Sequence, residues 1–354
     1  MEKLKVLVVG CGNMGSSHAR SYYKIPEFEL VGLVSRTPNN ARESLAKELG
    51  GVKQFNNFED ALKESNPDIV SINTYTDTHK EFAIKSIMAG AHIFIEKPIA
   101  ESAVDALEII NLAQEKKTKI VVGYILRHHP TWNKFIEVAK TLDKPLVMRM
   151  NLNQQSQGDK WETHKQLMKT TSPIVDCGVH YVDIMCQMTG SKPVRVHAIG
   201  ARLTNEISEN MYNYGQLQVT FEDGSVGWYE SGWGPMMSET AYFVKDVIGP
   251  KGSVSIIEPR NDSSNIDEHT KTNKLLLHYQ ERNAKGEFIK RDELIDSNNE
   301  PNHQQLCDLE QEFLLKAILE NIDLTSHLFD AVNSLKIVLA ADESIRKKRS
   351  IELN

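Results

Sequence analysis

Cysteine is scarce in this chain. Cys11, Cys177, Cys186 and Cys307 are the four among 354 residues, and no two stand in a C-x-x-C pair. That spacing argues against a zinc site and against a disulfide framework, and it suits a reducing, cytoplasmic compartment. Long apolar runs are missing as well. The run at residues 6–9 has a strand's length and falls far short of a membrane span. Met1-Glu2-Lys3 leads straight into it, without the apolar core and small-residue cleavage site of a signal peptide. Charge of one sign is also absent as a block: the formal net charge is −7, with acids and bases interspersed. A nucleic-acid surface needs a concentrated basic face. The one tight basic cluster, Lys347, Lys348 and Arg349, reads as a solvated helix end. Neither nucleic acid nor membrane is expected as a partner.

What is present suits two globular domains, with 40% hydrophobic and 25% charged residues over this length. Up to residue 124, brief apolar runs at 4–9, 30–34, 52–55, 69–73, 92–95 and 120–123 alternate with helical patterns. Such runs belong to strands buried on both faces. One helix starts at Ser102, where a hydroxyl can cap the backbone and Asp105 follows three residues on. Ala103, Leu107, Ile110 and Ala113 then recur at helical spacing, which predicts an apolar face. Six strands alternating with helices predict a doubly wound α/β (Rossmann) domain over 1–124.

Beyond Pro130 the pattern changes. Leu146, Met148, Met150 and Leu152 alternate along one strand, and Leu217, Val219 and Phe221 along another. The second runs through the Asp223-Gly224 turn into 226–231. This predicts an α+β domain over 125–354, built on a large, open, mainly antiparallel sheet. Residues 260–273 and 296–305 read as polar loops. Residues 304–346 read as helical, with the C-terminal helix packing back on the first domain.

Gly10-Cys11-Gly12-Asn13-Met14-Gly15 follows the first strand and precedes a helix, which is the context a dinucleotide fingerprint requires. Gly10 permits the tight turn, Gly12 lets backbone approach a pyrophosphate, and Gly15 lets helix and strand pack closely. The pyrophosphate would lie on the helix N-terminus. NAD sites usually carry an acid at the end of the second strand to bind the ribose 2′-hydroxyl. Here that strand ends in Ser35-Arg36-Thr37, whose donors suit a 2′-phosphate, so NADP(H) is expected over NAD(H). Arg36 also reads as a plain exposed loop residue.

Three more segments carry chemistry. Glu96-Lys97-Pro98 ends the fifth strand, and ligands of open α/β sheets gather at the carboxyl ends of strands. A lysine there can polarise or protonate a substrate oxygen. Residues 123–130, with Tyr124, Arg127, His128 and His129, end the sixth strand. Asp176-Cys177-Gly178-Val179-His180-Tyr181-Val182-Asp183 lies in a helix starting after Ser172-Pro173. Asp176 and His180, four apart, would share a helical face, and a carboxylate beside an imidazole raises its basicity. Singly, each has an ordinary structural explanation: a surface pair, a helix-end charge, a packed histidine.

Together, the G-x-G-x-x-G loop, the E-K-P, the G-Y-x-x-R-x-x-P and the D-x-G-x-H-x-x-D resemble the Gfo/Idh/MocA oxidoreductases, relatives of glucose–fructose oxidoreductase and inositol dehydrogenase. The resemblance implies hydride transfer between NAD(P) and a carbon–oxygen centre of a sugar, inositol or related polyol. It implies that Lys97 assists proton transfer, that His180 is the acid/base, and that Asp176 holds His180 and the substrate. Residues 73–79 resemble the family's cofactor-contacting turn, which adds Thr74 and His79 to the cofactor set of Gly10, Gly12, Asn13, Met14, Gly15, Ser35, Arg36, Thr37, Glu96 and Lys97. Tyr75 stands where the family often has Pro, Ser172-Pro173 where many relatives have glycines, and Glu162 where many carry Arg. Lys97, Tyr124, Arg127, Trp161, Asp176 and His180 are the expected substrate contacts, with Glu162, His164 and Lys165 beside Trp161. Core packing is an equal reading of Trp161. No metal site is expected. A one-sided sheet needs cover, which predicts a homodimer or homotetramer. The other functions open to this fold are an NAD-dependent glycosidase and a non-catalytic sensor.

Overall fold

The computed structural model describes residues 2–36, 40–238, 244–257, 274–296 and 300–353. They form two compact units: residues 1–128 with 301–332, and residues 129–300 with 333–354. Among the described residues no helix is long and apolar enough to cross a membrane. All four cysteines are buried and unbonded.

The first unit alternates strand and helix in chain order: β1 (Leu4–Val9), α1 (Asn13–Lys24), β2 (Phe28–Val34), α2 (Asn40–Glu48), β3 (Gln54–Phe55), α3 (Phe58–Ser65), β4 (Ile69–Ile72), α4 (His79–Met88), β5 (His92–Glu96), α5 (Ala103–Lys116) and β6 (Ile120–Gly123). The strands pair in parallel in the order β3-β2-β1-β4-β5-β6. The order reverses at β1, so β1 and β4 flank the switch point where open α/β sheets take ligands. Val6, Leu7 and Val8 on β1, and Ile93, Phe94 and Ile95 on β5, are fully buried. That double-sided burial is why these strands read as continuous apolar runs rather than alternating ones.

Ser102 caps α5, accepting from the Asp105 amide at 3.1 Å. The buried face of α5 is Ala106, Ile109, Ile110 and Ala113. Leu107, expected on it, is 43% exposed. The same periodicity fits both faces within one residue's rotation, and packing selected the one carrying two isoleucines.

In the second unit, helices α6 (Pro130–Thr141), α7 (Gly158–Leu167), α8 (Pro173–Asp176) and α9 (Gly178–Thr189) accompany strands β7 (Val147–Gln155), β8 (Pro193–Ala201), β9 (Tyr214–Phe221), β10 (Val226–Gly234), β11 (Lys245–Gly249), β12 (Gly252–Ile257), β13 (Lys274–Tyr279) and β14 (Glu293–Asp296). The described residues give a nine-stranded sheet, ordered β14-β13-β12-β11-β7-β10-β9-β8-β15, where β15 is Ile351–Glu352. All its pairings are antiparallel except β7 with β10. Leu146, Met148, Met150, Leu217, Val219 and Phe221 are buried as their alternation requires. Gly224 takes a φ of +81° in the β9–β10 turn, a conformation that favours glycine. Residues 260–273 lie outside the described residues.

Two further helices close the chain, α10 (His303–Leu319) and α11 (Thr325–Lys347). Helix α10 packs on α1 within the first unit. There Asp308 accepts from Ser21 at 2.7 Å and pairs with Lys24 at 2.6 Å.

Candidate active site

The chemistry-bearing residues fall in two groups, one in each unit. In the first unit they collect at the carboxyl ends of β1, β2, β4, β5 and β6. Gly10 has a φ of +89°, and a Cβ on it would lie 2.4 Å from the Asn73 carbonyl oxygen. A Cβ on Gly15 would lie 1.8 Å from the Gly10 carbonyl oxygen. Both positions exclude any side chain, and together they fix α1 against the end of β1.

Gly12 differs. It is exposed, a Cβ there would meet nothing within 4 Å, and it starts α1 without a side-chain cap. Asn13 is exposed and Met14 half-buried beside it. Uncapped first-turn amides at a helix N-terminus, with open space before them, form an anion cradle. These residues fit a dinucleotide pyrophosphate.

At the end of β2, Ser35 is half-buried and Arg36 exposed; Thr37 lies outside the described residues. The segment is braced by Arg42, which the sequence reading did not single out. Its buried guanidinium donates to the carbonyls of Ser35 (3.1 Å) and Phe55 (2.7 Å) and to Asn56 (2.9 Å).

After β4, Thr78 donates to Thr74 Oγ1 at 2.7 Å, and Tyr75 is exposed. His79 is fully buried, with Nδ1 2.9 Å from the Pro98 carbonyl oxygen and Nε2 3.0 Å from that of Thr74. Burial pushes this imidazole below its ordinary value, and the two carbonyls oppose that only in part. His79 was expected to meet the cofactor. Both its nitrogens face backbone, so it braces the turn from behind and leaves no ring atom to offer a ligand.

Glu96 is buried and Lys97 half-buried at the end of β5. Tyr124 is 1% exposed, with the Arg127 guanidinium 4.7 Å from its ring centroid. Arg127 in turn donates to the His327 carbonyl at 3.0 Å and lies 2.7 Å from that ring's Nδ1. Tyr124 therefore packs as a shelf under an arginine anchored to α11.

His18, Cys307 and Glu310 bring ligand-type atoms within 4.8 Å of one another, all buried. The two His18 nitrogens are taken by Glu96 and Gln311 at 2.9 Å each. Burial holds the Cys307 thiol and the Glu310 carboxyl far above their usual values, in their neutral forms. Cys307 and Glu310 are thus buried in their neutral forms, and among the described residues the two Glu310 carboxyl oxygens have no hydrogen-bond partner.

In the second unit, Ser172 caps α8 by accepting from the Val175 amide at 3.2 Å. Tyr212 and Ser172 both hydrogen-bond to Asp342 there. Asp176 ends α8 and His180 lies in the first turn of α9; both are half-buried. The helix expected to run through both is divided at Cys177, and the His180 amide bonds the Cys177 carbonyl three residues back. A regular four-residue repeat thus does not relate the two side chains. Gly178, between them, has no room for a side chain: a Cβ would lie 2.8 Å from Tyr229. Asp183 is buried and accepts from Gln187 at 2.9 Å.

Trp161 belongs to a core cluster with Met168, Cys177, Ile207 and Trp233, and its indole N–H donates to Glu206 at 3.2 Å. Of its two readings, the structure gives core packing. Glu162 is solvent-facing and pairs with Lys165 at 2.7 Å. His164 stacks on Trp233 and sits 3.0 Å from Ser156. Burial lowers its pKa to about 4, with Asp176 opposing. A further group missed in the sequence is Lys245, a buried lysine whose ammonium lies 5.7 Å from the Tyr181 ring centroid.

Comparisons with known proteins bear on the fold and the family. Residues 4–124 match the profile of an oxidoreductase family with an NAD-binding Rossmann fold, and residues 138–255 match the GFO/IDH/MocA C-terminal domain. The inositol 2-dehydrogenase of Ralstonia nicotianae is 24% identical over 59% of this chain and 61% of its own length. The UDP-N-acetylglucosamine 3-dehydrogenase of Acidithiobacillus ferrooxidans is 29% identical over 56% and 59%. The chain thus spans about three fifths of the length of these relatives. Among solved structures, the scyllo-inositol dehydrogenase of Lactobacillus casei with bound NAD(H) and scyllo-inositol superposes with a TM-score of 0.78, at 20% identity, over 99% of each chain.

The glycines separate structural from ligand-facing roles. Gly12→Val should fold normally yet lose about 100-fold or more in dinucleotide affinity, because its side chain fills the cradle. Gly15→Ala should cost about 1–3 kcal/mol of stability or more, because its methyl overlaps the Gly10 carbonyl. Calorimetric titration and thermal melts check both; a Gly12→Val variant with unaltered affinity would place the dinucleotide elsewhere.

Proposed function

The chain belongs to the Gfo/Idh/MocA oxidoreductase family, and from that premise we propose that it is a nicotinamide-dependent dehydrogenase or reductase acting at a CH–OH centre of a sugar, inositol or related polyol. One observation carries the reading: a glycine loop whose Gly12 opens on free space, with Lys97 at the end of β5 on the same carboxyl edge of the sheet. The dinucleotide, when bound, supplies the hydride donor or acceptor. The amides of residues 12–15 would hold its pyrophosphate, and Thr74 and Glu96, at the ends of β4 and β5, are further expected cofactor neighbours.

The chain's own residues then manage one proton and one developing charge. Oxidising a hydroxyl-bearing carbon leaves electron density on oxygen as the proton departs. Lys97, as a hydrogen-bond donor, lowers the cost of that charge. His180 takes the proton in oxidation and returns it in reduction, and Asp176 supports the imidazole in its charged form. Arg127, held at the end of β6 by His327, is a further candidate contact for a polar, hydroxyl-rich substrate. The named substrates of the relatives, inositol and UDP-N-acetylglucosamine, are of this class.

For the cofactor, the end of β2 carries Ser35 and Arg36 and no acid. This supports NADP(H) over NAD(H), since a carboxylate there would repel a 2′-phosphate. For assembly, Val226, Val147 and Ile248 are register neighbours on β10, β7 and β11 and are each 38–39% exposed. Such an apolar row on the outer face of the sheet suits pairing with a second copy in a closed dimer or tetramer.

Three measurements test this reading. In a screen of polyols and keto-sugars, His180→Ala should lower kcat by about 10²–10⁴, or about 3–5 kcal/mol of barrier, with cofactor affinity nearly unchanged, and Lys97→Ala should lower kcat by a similar amount. The double variant should lose less than the product of the two, and Asp176→Asn should be intermediate. Near-normal turnover of His180→Ala would refute its role. Fluorescence titration should show tighter binding of NADPH than NADH, with Ser35→Asp/Arg36→Ala reversing the order; equal affinities would rule out the NADP reading. Light scattering at micromolar concentration should report a dimer or tetramer, and a monomer would contradict the assembly.

A further inference from the structure

His18 lies three residues past Gly15, so the turn that brings α1 onto β1 also carries its ring into the interior. There it is fully buried, 4.5 Å from the Phe94 ring centroid. The Gln311 amide from α10 lies 2.9 Å from His18 Nδ1, and His18 Nε2 lies 2.9 Å from Glu96 Oε1. The other oxygen, Glu96 Oε2, accepts the Lys97 backbone N–H at 3.2 Å. The directions are consistent along the whole chain. Gln311 donates, so Nδ1 accepts; Nε2 therefore carries the ring proton and donates to the carboxylate, which keeps its second oxygen for Lys97. On the other side of the same loop, the Pro98 carbonyl meets His79. The Lys97 backbone is thus held from α1 and α10 on one side and from α4 on the other.

We propose that the buried chain Gln311–His18–Glu96 is a positioning device for Lys97, fixing the backbone from which its ammonium reaches the substrate oxygen. The inference rests on the role given to Lys97 above. Its physical content is that a long, flexible side chain is only as well placed as its Cα. A misplacement of about 1 Å in a reacting group can cost on the order of 100-fold in rate. The surroundings favour one arrangement of the chain. Glu310 is fully buried beside Glu96 and is held neutral by burial and by that neighbour, and the Cys307 thiol is neutral as well. Neither competes as an anion for the His18 N–H. Gln311, His18 and Glu96 touch no reacting atom in this account, and so they are positioning residues.

The test uses His18→Phe, which keeps the ring packing on Phe94 and removes both hydrogen bonds, and His18→Gln, whose amide N–H can still donate to Glu96. Gln311→Met is a milder variant that removes the distal donor alone. The first readout needs no substrate: amide hydrogen exchange resolved to single residues. In His18→Phe the Lys97 amide should exchange about tenfold faster or more, while the amides of Ile93 and Ile95, held by neighbouring strands, keep their protection. The second readout is kinetic. His18→Phe should lower kcat by about 10- to 100-fold with substrate KM and cofactor Kd within about twofold, Gln311→Met by less, and His18→Gln should recover most of the loss. Unchanged Lys97 exchange and kcat in His18→Phe would overturn the proposal. So would a uniform loss, in which the whole of β5 exchanges faster and cofactor affinity falls with kcat. Stoichiometric zinc in protein purified without chelator would also overturn it, by making His18, Cys307 and Glu310 ligands. Failure of the parent reading looks different: Lys97→Ala would turn over normally, while the exchange result on the Lys97 amide would stand or fall by itself.

Discussion

The contact on which the first unit depends is the one between Gly15 and the Gly10 carbonyl. A Cβ would reach within 1.8 Å of that oxygen, so the first turn of α1 sits directly on the end of β1. The consequences follow along the helix. Its N-terminus, uncapped at Gly12, faces the open space above the strand ends. One turn later His18 arrives beside Glu96, and two turns on Ser21 meets Asp308 of α10. Anion cradle, lysine-bearing loop and C-terminal helix are thus tied by one close approach of backbone to backbone. The alternating pattern of buried strands supplies the platform, and the glycines supply the register.

Burial governs the electrostatics of both units. His79, His164, Cys307 and Glu310 are pushed toward their neutral forms by desolvation before any neighbouring charge acts. A buried polar group kept neutral and hydrogen-bonded costs little and points in one direction, whereas a mobile ion would not. The scaffold around Lys97 combines imidazoles, amides and carbonyls with the Glu96 carboxylate, which accepts from His18 and from the Lys97 amide. The second unit uses the same logic around Trp233, where His164 stacks as a neutral ring.

Much of this was legible in the sequence, and the reasons are specific. Buried parallel strands are short apolar runs, so β1 and β6 can be bounded to the residue, and the alternation of 214–221 marks β9 equally well. The glycine loop is legible because its spacing has a steric meaning at each position. Other features depend on packing that no local pattern carries. Leu107 and Ile109 compete for the same helical face, and only the neighbouring elements choose. Cys177 interrupts the helix between Asp176 and His180, and an i to i+4 count assumes no interruption. Trp161 reads as a sugar platform or a core residue until Met168 and Trp233 are seen around it. His79 matches a ligand-contacting turn in sequence, yet both its nitrogens face carbonyls. The chain from Gln311 to His18 spans 293 residues of sequence, beyond any periodicity. A signal existed for one end of it: a histidine one turn after Gly15, on the inward face of α1.

The central claim is that this scaffold carries hydride transfer at a carbon bearing oxygen. It is tested most directly with a reduced nicotinamide carrying deuterium at both C4 positions, offered with the best keto-substrate of the screen, and mass analysis of the product. The account predicts one deuterium on the carbon that becomes CH–OH in the product, with none drawn from deuterated solvent at that position. Turnover in which no deuterium reaches that carbon, or in which the carbon takes its hydrogen from solvent, would contradict it.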